Sequence, residues 1–324
     1  MTQQHRILVG DCIEMMRTLP DQSVHTCITS PPYFGLRDYG VDGQIGLEDS
    51  PREFIDSLVA VFREVRRVLR EDGTIWVNMG DSYSNGGRTW RAPDKKSEGR
   101  AMETRPDDGL KPKDLLGMPW RLAFALQDDG WYLRQDIVWA KPNPMPESVR
   151  DRCTKAHEYL FLLSKSPRYY FDQDAIREPA RAQAAPESVS RRNSFARETK
   201  YTDGEHGQTA QHRTGRNDVD YDETRNKRSV WTVSTASFKG AHFATFPPDL
   251  IRPCVLAGSP RGGMVLDPFG GAGTTALVAM QEGRKSVICE LNPEYAALAR
   301  QRLDTAWIEG AAQMDFLLDQ TPAA

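Results

Sequence analysis

The stretch "MVLDPFGGAGTTALVAMQEGRKSVICEL", Met264 to Leu291, constrains this chain more than any other part of it. An apolar run ends at Asp267-Pro268, glycines follow at Gly270, Gly271 and Gly273, and a helix-forming run opens directly behind them. A second apolar run ends at Glu290. The pattern reads as strand, glycine turn, helix and strand. Strands that alternate with helices point to a mainly parallel sheet covered on both faces.

The rest of the chain fits that architecture. "RILVGD" and "HTCITS" read as strands around a short helix in "CIEMMRTL", a plausible βαβ unit. "SPREFIDSLVAVFREVRRVLREDG" is the clearest helix: Ser50 caps it, Pro51 suits its first turn and Glu53 completes a capping box. Phe54, Leu58, Val61, Phe62, Val65 and Leu69 line one face, and Gly73 is expected to end it. "TIWVNMGD", "WYLRQDIVWAKP" and "EYLFLLSKS" read as strands, with a helix in "PWRLAFALQDDG". "NPEYAALARQRLDTAW" reads as a helix capped by Asn292. Residues 82–115 lack periodicity and read as a long mobile loop. From 172 to 230 the chain turns polar, with arginines dispersed among acids, and reads either as a disordered insertion or as a module that touches a polyanion.

Composition excludes several classes. The chain has 324 residues, five cysteines without a C-x-x-C pair and a net charge of −3. No zinc site, other metal site or disulfide framework is expected, a reducing cytoplasm suits the cysteine usage, and no apolar run is long enough to span a bilayer. A nucleic-acid partner would have to be held by a local basic surface.

Gly271-x-Gly273-x-x-Ala276 has the spacing of a dinucleotide-binding turn, with backbone close to a ligand above a helix N-terminus. Glu290 follows roughly twenty residues on, where a carboxylate takes both ribose hydroxyls. The spacing does not separate a nicotinamide cofactor from S-adenosylmethionine. Asp267 favours the latter, since its carboxylate is able to face an ammonium or sulfonium cation. Asp11 is a candidate acceptor for an adenine amino group, or an ordinary turn aspartate.

Ser30-Pro31-Pro32-Tyr33 stops an apolar strand abruptly and holds an aromatic ring at its tip. Together with Phe269-Gly270-Gly271-Ala272-Gly273, it resembles the amino-methyltransferases of DNA. The order, catalytic motif first and cofactor motif last, is similar to the permuted β-group of type II-like enzymes. The resemblance implies a doubly wound class I methyltransferase fold and S-adenosylmethionine as cofactor. It further implies double-stranded DNA as partner, with a cognate restriction endonuclease as a further one. "HFATFPPDLI" resembles the motif at the methionine end of the cofactor, which adds Thr245 and Phe246. Pro268, Phe269, Leu291 and Asn292 complete the implied cofactor set.

In that family the Ser30 side chain and the Pro31 carbonyl would accept the two N–H bonds of an exocyclic amine. Pro32 stiffens the turn, and Tyr33 stacks on a base taken out of the duplex. Asn78 and Asp81, with Gly80, sit at a strand tip that would overlook the same pocket; Lys141 and Asn143 would contact the base or its phosphate. Turn roles remain open for all of these, and Trp139 and His242 read as core and turn residues. Ser-Pro-Pro-Tyr is typical of the cytosine-N4 enzymes and Asp-Pro-Pro-Tyr of the adenine-N6 ones, so cytosine is favoured with adenine as alternative. RNA or protein-glutamine methylation, and a non-catalytic DNA-binding role, fit less well. Cytosine C5 methylation would need a thiolate, and Pro253-Cys254 lies in a helix-like run.

The expected organisation is a target-base half over 1–171, a target-recognition insertion over 172–230, a cofactor half over 231–312 and a tail over 313–324. Monomer and homodimer are both compatible with it.

Overall fold

The computed structural model describes residues 4–36, 38, 40–84, 110–180, 224–235 and 246–319, with the side chains of 309–319 outside that description. The chain divides into two compact units, Met1–Ala175 with Arg228–Ala324, and Ile176–Lys227.

The larger unit is built on one sheet. Its strands are β1 (His5–Val9), β2 (Val24–Thr29), β3 (Leu69–Met79), β4 (Tyr132–Ala140) and β5 (His157–Ser164). β8 (Val230–Thr232), β9 (Met264–Asp267) and β10 (Lys285–Glu290) complete it, while β6 (Glu178–Pro179) and β7 (Thr224–Arg225) pair with each other in the smaller unit. The order is β1-β10-β9-β2-β3-β5-β4-β8, and every neighbouring pair is parallel except those that involve β5. Helices α1 (Cys12–Arg17), α2 (Pro51–Val68) and α3 (Met118–Asp128) pack together over one face. α4 (Pro248–Gly258), α5 (Thr274–Gln281) and α6 (Pro293–Asp319) cover the other. The doubly wound reading therefore holds.

Local sequence accounts for α2. Ser50 accepts a hydrogen bond from the Glu53 N–H at 3.2 Å, and Pro51 opens the first turn. Phe54, Leu58, Val61, Phe62 and Val65 are fully buried against the sheet. The helix ends sooner than its pattern suggests. Leu69 already has extended backbone and starts β3, and Gly73 lies inside that strand. Leu69 is buried in either geometry, so its apolar character could not mark the boundary.

Three features of the topology go beyond the sequence reading. β1 and β2 are not neighbours, because β10 and β9 lie between them. α6 runs on to Asp319, through most of the expected tail. The edge strand β8 lies where an insertion was expected to end.

The topology fixes where a site can form. From β9 the chain crosses by α5 to β10 on one side; from β2 it crosses by α2 to β3 on the other. Crossovers that leave two adjacent parallel strands in opposite directions open a crevice at their carboxyl ends. Asp267-Pro268 and Thr29-Ser30 stand at that crevice.

Candidate active site

An open cleft of about 150 Å³ occupies the crevice. One wall is the turn Asp267–Ala272, with Glu290 at the end of β10 and Leu291 and Asn292 beyond it. Gly10 and Asp11 close it from β1, Phe246 from the segment before α4, and Ser30 and Pro32 from the end of β2. The sequence reading therefore found most of the lining. Thr245 and His242 lie outside the described residues. Gly273 is not part of the lining; its φ of +76° and the nearby Ala299 Cβ, 2.9 Å from where its own would stand, explain that glycine.

The carboxylates of the cofactor wall are held from within. Glu290 Oε2 accepts the Gly271 N–H at 2.7 Å and its Oε1 accepts the Asn292 N–H at 2.8 Å. The acid thus ties the glycine turn to the end of β10, and burial raises its pKa. Asp11 accepts the Glu14 N–H at 3.0 Å and caps α1 while lining the cleft.

Asp267 differs from expectation. It is 2% exposed, with Oδ1 accepting from Thr29 Oγ1 at 2.6 Å and from the Phe269 N–H at 3.0 Å. Oδ2 accepts from Thr275 Oγ1 at 2.6 Å. The carboxylate is therefore an internal clasp and not a charge displayed to a cation. Desolvation outweighs these hydrogen bonds and pushes its pKa up to about 6. Thr29, which sequence reasoning missed, stands directly before Ser30 and bonds to the residue that opens the glycine turn.

The other side of the crevice is assembled from several strand ends. β2, β3 and β4 run parallel and β5 antiparallel to them, so the ends of the first three meet the start of β5. The Tyr33 hydroxyl donates to Glu158 Oε2 at 2.8 Å. Asn78 Nδ2 donates to the same oxygen at 3.2 Å and to the Tyr159 carbonyl at 3.1 Å. Lys141 Nζ donates to Glu158 Oε1 and lies 4.3 Å over the Trp139 ring. A Cβ on Gly80 would stand 2.8 Å from Tyr33 Cε2, so only glycine lets this ring pack against the β3 tip. Burial and the Glu158 charge both raise the Tyr33 pKa, which keeps the phenol neutral.

Tyr33, Asn78 and Lys141 thus converge on Glu158, a residue read from sequence only as part of a strand. Asp81 and Asn143 do not join them. Asp81 Oδ1 accepts from the Ser82 N–H at 2.9 Å and the Met118 N–H at 3.0 Å, and so caps α3 from outside. Asn143 exchanges hydrogen bonds with the Thr235 backbone and fastens the strand-end turn. Val41, Gly43, Gln44 and Ile45 also line the cleft; their only sequence signal was a glycine-dotted segment behind the double proline.

The family model for "DNA methylase", covering N6 and N4 enzymes, matches residues 24–301. The chain belongs to the DNA methylase family. Within it, the sequence is 52% identical over 296 residues to the type II methyltransferase M.Cfr9I of Citrobacter freundii, spanning 91% of this chain and 86% of that protein. It is 50% identical over 300 residues to the type II methyltransferase M.SmaI of Serratia marcescens, spanning 92% and 90%. The fold is similar to that of the PvuII cytosine-N4-specific DNA methyltransferase, with a TM-score of 0.62 at 19% identity over 92% of this chain and 86% of that one. It is also similar to a Thermus thermophilus DNA modification methylase solved with S-adenosyl-L-methionine, with a TM-score of 0.56 at 24% identity over 93% and 95%.

This DNA methylase is thus a β-group, S-adenosylmethionine-dependent amino-methyltransferase of the restriction-modification type. The residues present fit its cofactor. A Cβ on Gly271, at φ +49°, would meet no atom within 4 Å, so bare backbone faces open space at the cleft wall. Two fixed carboxylates, Asp11 and Glu290, line the same cleft. The cysteines at hand are not poised as thiolates for a C5-type mechanism: Cys254 is buried in α4, Cys27 is buried in β2 with a strongly raised pKa, and burial also raises the pKa of Cys12 and Cys289, which line the cleft. No helix among the described residues is long and apolar enough to cross a membrane.

Proposed function

We propose that this DNA methylase transfers the methyl group of S-adenosylmethionine to the N4 amine of a cytosine extruded from duplex DNA. The observation that carries the reading is the 2.6 Å hydrogen bond from Thr29 to Asp267, because it fastens the Ser-Pro-Pro-Tyr turn and the glycine turn to one cleft. Glu290 and Asp11 hold the adenosine end. Each Glu290 oxygen accepts one backbone N–H and keeps a lone pair for a ribose hydroxyl. Asp267 contributes by holding the glycine turn in place. Phe246, Leu291 and Asn292 complete the cofactor site from the cleft wall.

S-adenosylmethionine, when bound, supplies an electrophilic methyl group, so no enzyme nucleophile is needed. The difficulty lies with the target amine, whose lone pair is conjugated with the ring. Ser30 and the Pro31 carbonyl accept its two N–H bonds and favour a pyramidal nitrogen. The two prolines fix these acceptors in advance, so little reorganisation is left to the reaction. The Tyr33 ring flanks the extruded base. Ser30 is the residue that favours cytosine, by the family pattern; a neutral hydroxyl also serves an adenine N6 amine, which is the second reading.

The unit Ile176–Lys227, whose residues 181–223 lie outside the described set, is the proposed target-recognition module. Residues 85–109, also outside that set, belong to the segment proposed to close over DNA. A restriction endonuclease of matching specificity is the proposed partner in the cell. The deciding experiment incubates the protein with S-adenosylmethionine and unmethylated mixed-sequence DNA and analyses the digested nucleosides by mass spectrometry. N4-methylcytosine is expected. N6-methyladenine would keep the mechanism and overturn the base, and neither product, with cofactor still bound, would overturn DNA as substrate.

A further inference from the structure

The glycine turn is gripped by α6 as well as by the end of β10. Tyr295, Ala299 and Arg302 follow one another at helical spacing on one face of that helix. Tyr295 lines the cleft, and the Ala299 Cβ stands against Gly273 so closely that no side chain would fit there. One turn further on, the half-buried Arg302 reaches the glycine turn itself. Its Nη1 donates to the Ala272 carbonyl at 2.8 Å and to Thr274 Oγ1 at 3.0 Å. That nitrogen carries two protons, one for each acceptor. Ala272 and Thr274 both line the cleft, whereas Arg302 does not. Since Glu290 holds the Gly271 N–H at 2.7 Å, a carboxylate from β10 and a guanidinium from α6 fix successive points of the same backbone.

We propose that Arg302 is a positioning residue for the cofactor: from behind the turn it presets the backbone of Gly271 to Thr274 before S-adenosylmethionine binds. The inference deepens the cofactor-site reading above and rests on it. Gly271 and Gly273 both have positive φ, and glycines leave a turn many conformations unless something holds it. A cofactor that met a loose turn would have to order it on binding, at a cost in affinity and none in chemistry.

The test compares the full-length wild type with Arg302→Met, Leu303→Ala and Glu290→Ala. It measures S-adenosylmethionine affinity by calorimetry well below each melting temperature, kcat and KM for the cofactor on unmethylated mixed-sequence DNA, and the melting temperature itself. Methionine keeps most of the aliphatic stem and removes the donors. Affinity is expected to fall on the order of tenfold in Arg302→Met, the scale of a lost hydrogen bond to a charged group. KM for the cofactor should rise in step, while kcat at saturating cofactor changes by less than about threefold. Leu303 is buried beside Ala276, Leu277 and Ile288, so Leu303→Ala loosens α6 and leaves both bonds of Arg302 in place. That variant should melt lower and keep its affinity within about threefold. An affinity within about twofold of wild type in Arg302→Met would overturn the inference. An equal loss in Leu303→Ala would do so too, because any loosening of α6 would then suffice. Should Arg302→Met fail to fold, hydrogen exchange on the cofactor-free wild type supplies the test. The Gly271 and Gly273 amides, bonded to Glu290 and to the Gly270 carbonyl, are expected to be protected, and exchange at the rate of an open chain would overturn a preset turn. If Glu290→Ala kept full affinity, the cofactor-site reading itself would fail; if Glu290→Ala lost it while Arg302→Met did not, only the role of Arg302 would.

Discussion

The cofactor side of the cleft and the side-chain cluster behind the Ser-Pro-Pro-Tyr turn, called here the target wall, are built by different rules. The cofactor wall is local: Asp267 to Ala272 is one continuous turn, and the acid that braces it sits at the end of the next strand. The target wall is distributed. Tyr33, Asn78, Lys141 and Glu158 stand at the ends of four different strands, and they meet only because β5 runs against its neighbours. A local site survives loss of one side chain as a weaker binder. A distributed site loses its geometry when its hub is removed.

The sharpest way to break that contrast is Ser30→Ala, which takes one acceptor from the target wall and touches nothing in the glycine turn. Turnover on DNA should fall by about 10²-fold or more, the usual cost of removing one preorganised polar group from a transition state. Calorimetric affinity for S-adenosylmethionine should stay within about threefold. If affinity fell in step with turnover, the two walls would be one binding unit and the contrast would be false.

How much of this was legible in sequence follows the same division. The glycine turn, Glu290 and Asn292 were readable because backbone geometry and a strand-end acid occur at fixed spacing along the chain. α2 was readable from its cap and its apolar face, but its end was not, since Leu69 is apolar in both helix and strand. Glu158 was hidden inside "HEYLFLLSK", where strand pattern masks a polar hub. Thr29 was hidden too, because a β-branched residue in a strand needs no other explanation until Asp267 is seen 2.6 Å away. Side chains that act across the sheet depend on strand order, and β1 beside β10 and β9 beside β2 are facts of topology that no local window contains.

The next effect lies on the cofactor wall and is one of pH. Asp267 has a folded pKa of about 6, above its ordinary 3.8. Below the ordinary value both folded and unfolded chains carry the proton, and nothing is lost. Between those two values the folded state holds a proton that the unfolded state has released, so stability falls as pH rises through that window. Above about 6 the cost is complete, on the order of 3 kcal/mol for a shift of roughly two units. Asp267→Asn removes the titration. Thermal melts from acid to neutral pH should show the variant gaining on wild type as pH rises, from a fixed offset set by its altered hydrogen bonds to Thr29 and Thr275. A pH-independent difference would mean that Asp267 is ordinary in its acidity and that the clasp is electrostatically neutral.

The smallest effect is expected at a residue read from sequence as pocket lining whose carboxylate is engaged elsewhere. Asp81 follows Gly80 at the tip of β3, close in sequence to Asn78, yet its carboxylate turns to the Met118 N–H at the start of α3. The N-cap position itself, Gly117, has no side chain to offer, so Asp81 supplies the cap from another strand. Asp81→Ala should cost about 1 kcal/mol, read as a melting temperature lower by roughly 2 °C for a unit of this size. Turnover and cofactor affinity at a temperature well below the melt should stay within about twofold, since neither Ser30 nor Glu158 bonds to it. A tenfold loss of turnover at an unchanged melting temperature would carry the target wall one residue further along β3, and the boundary drawn here between hub and scaffold would have to move with it.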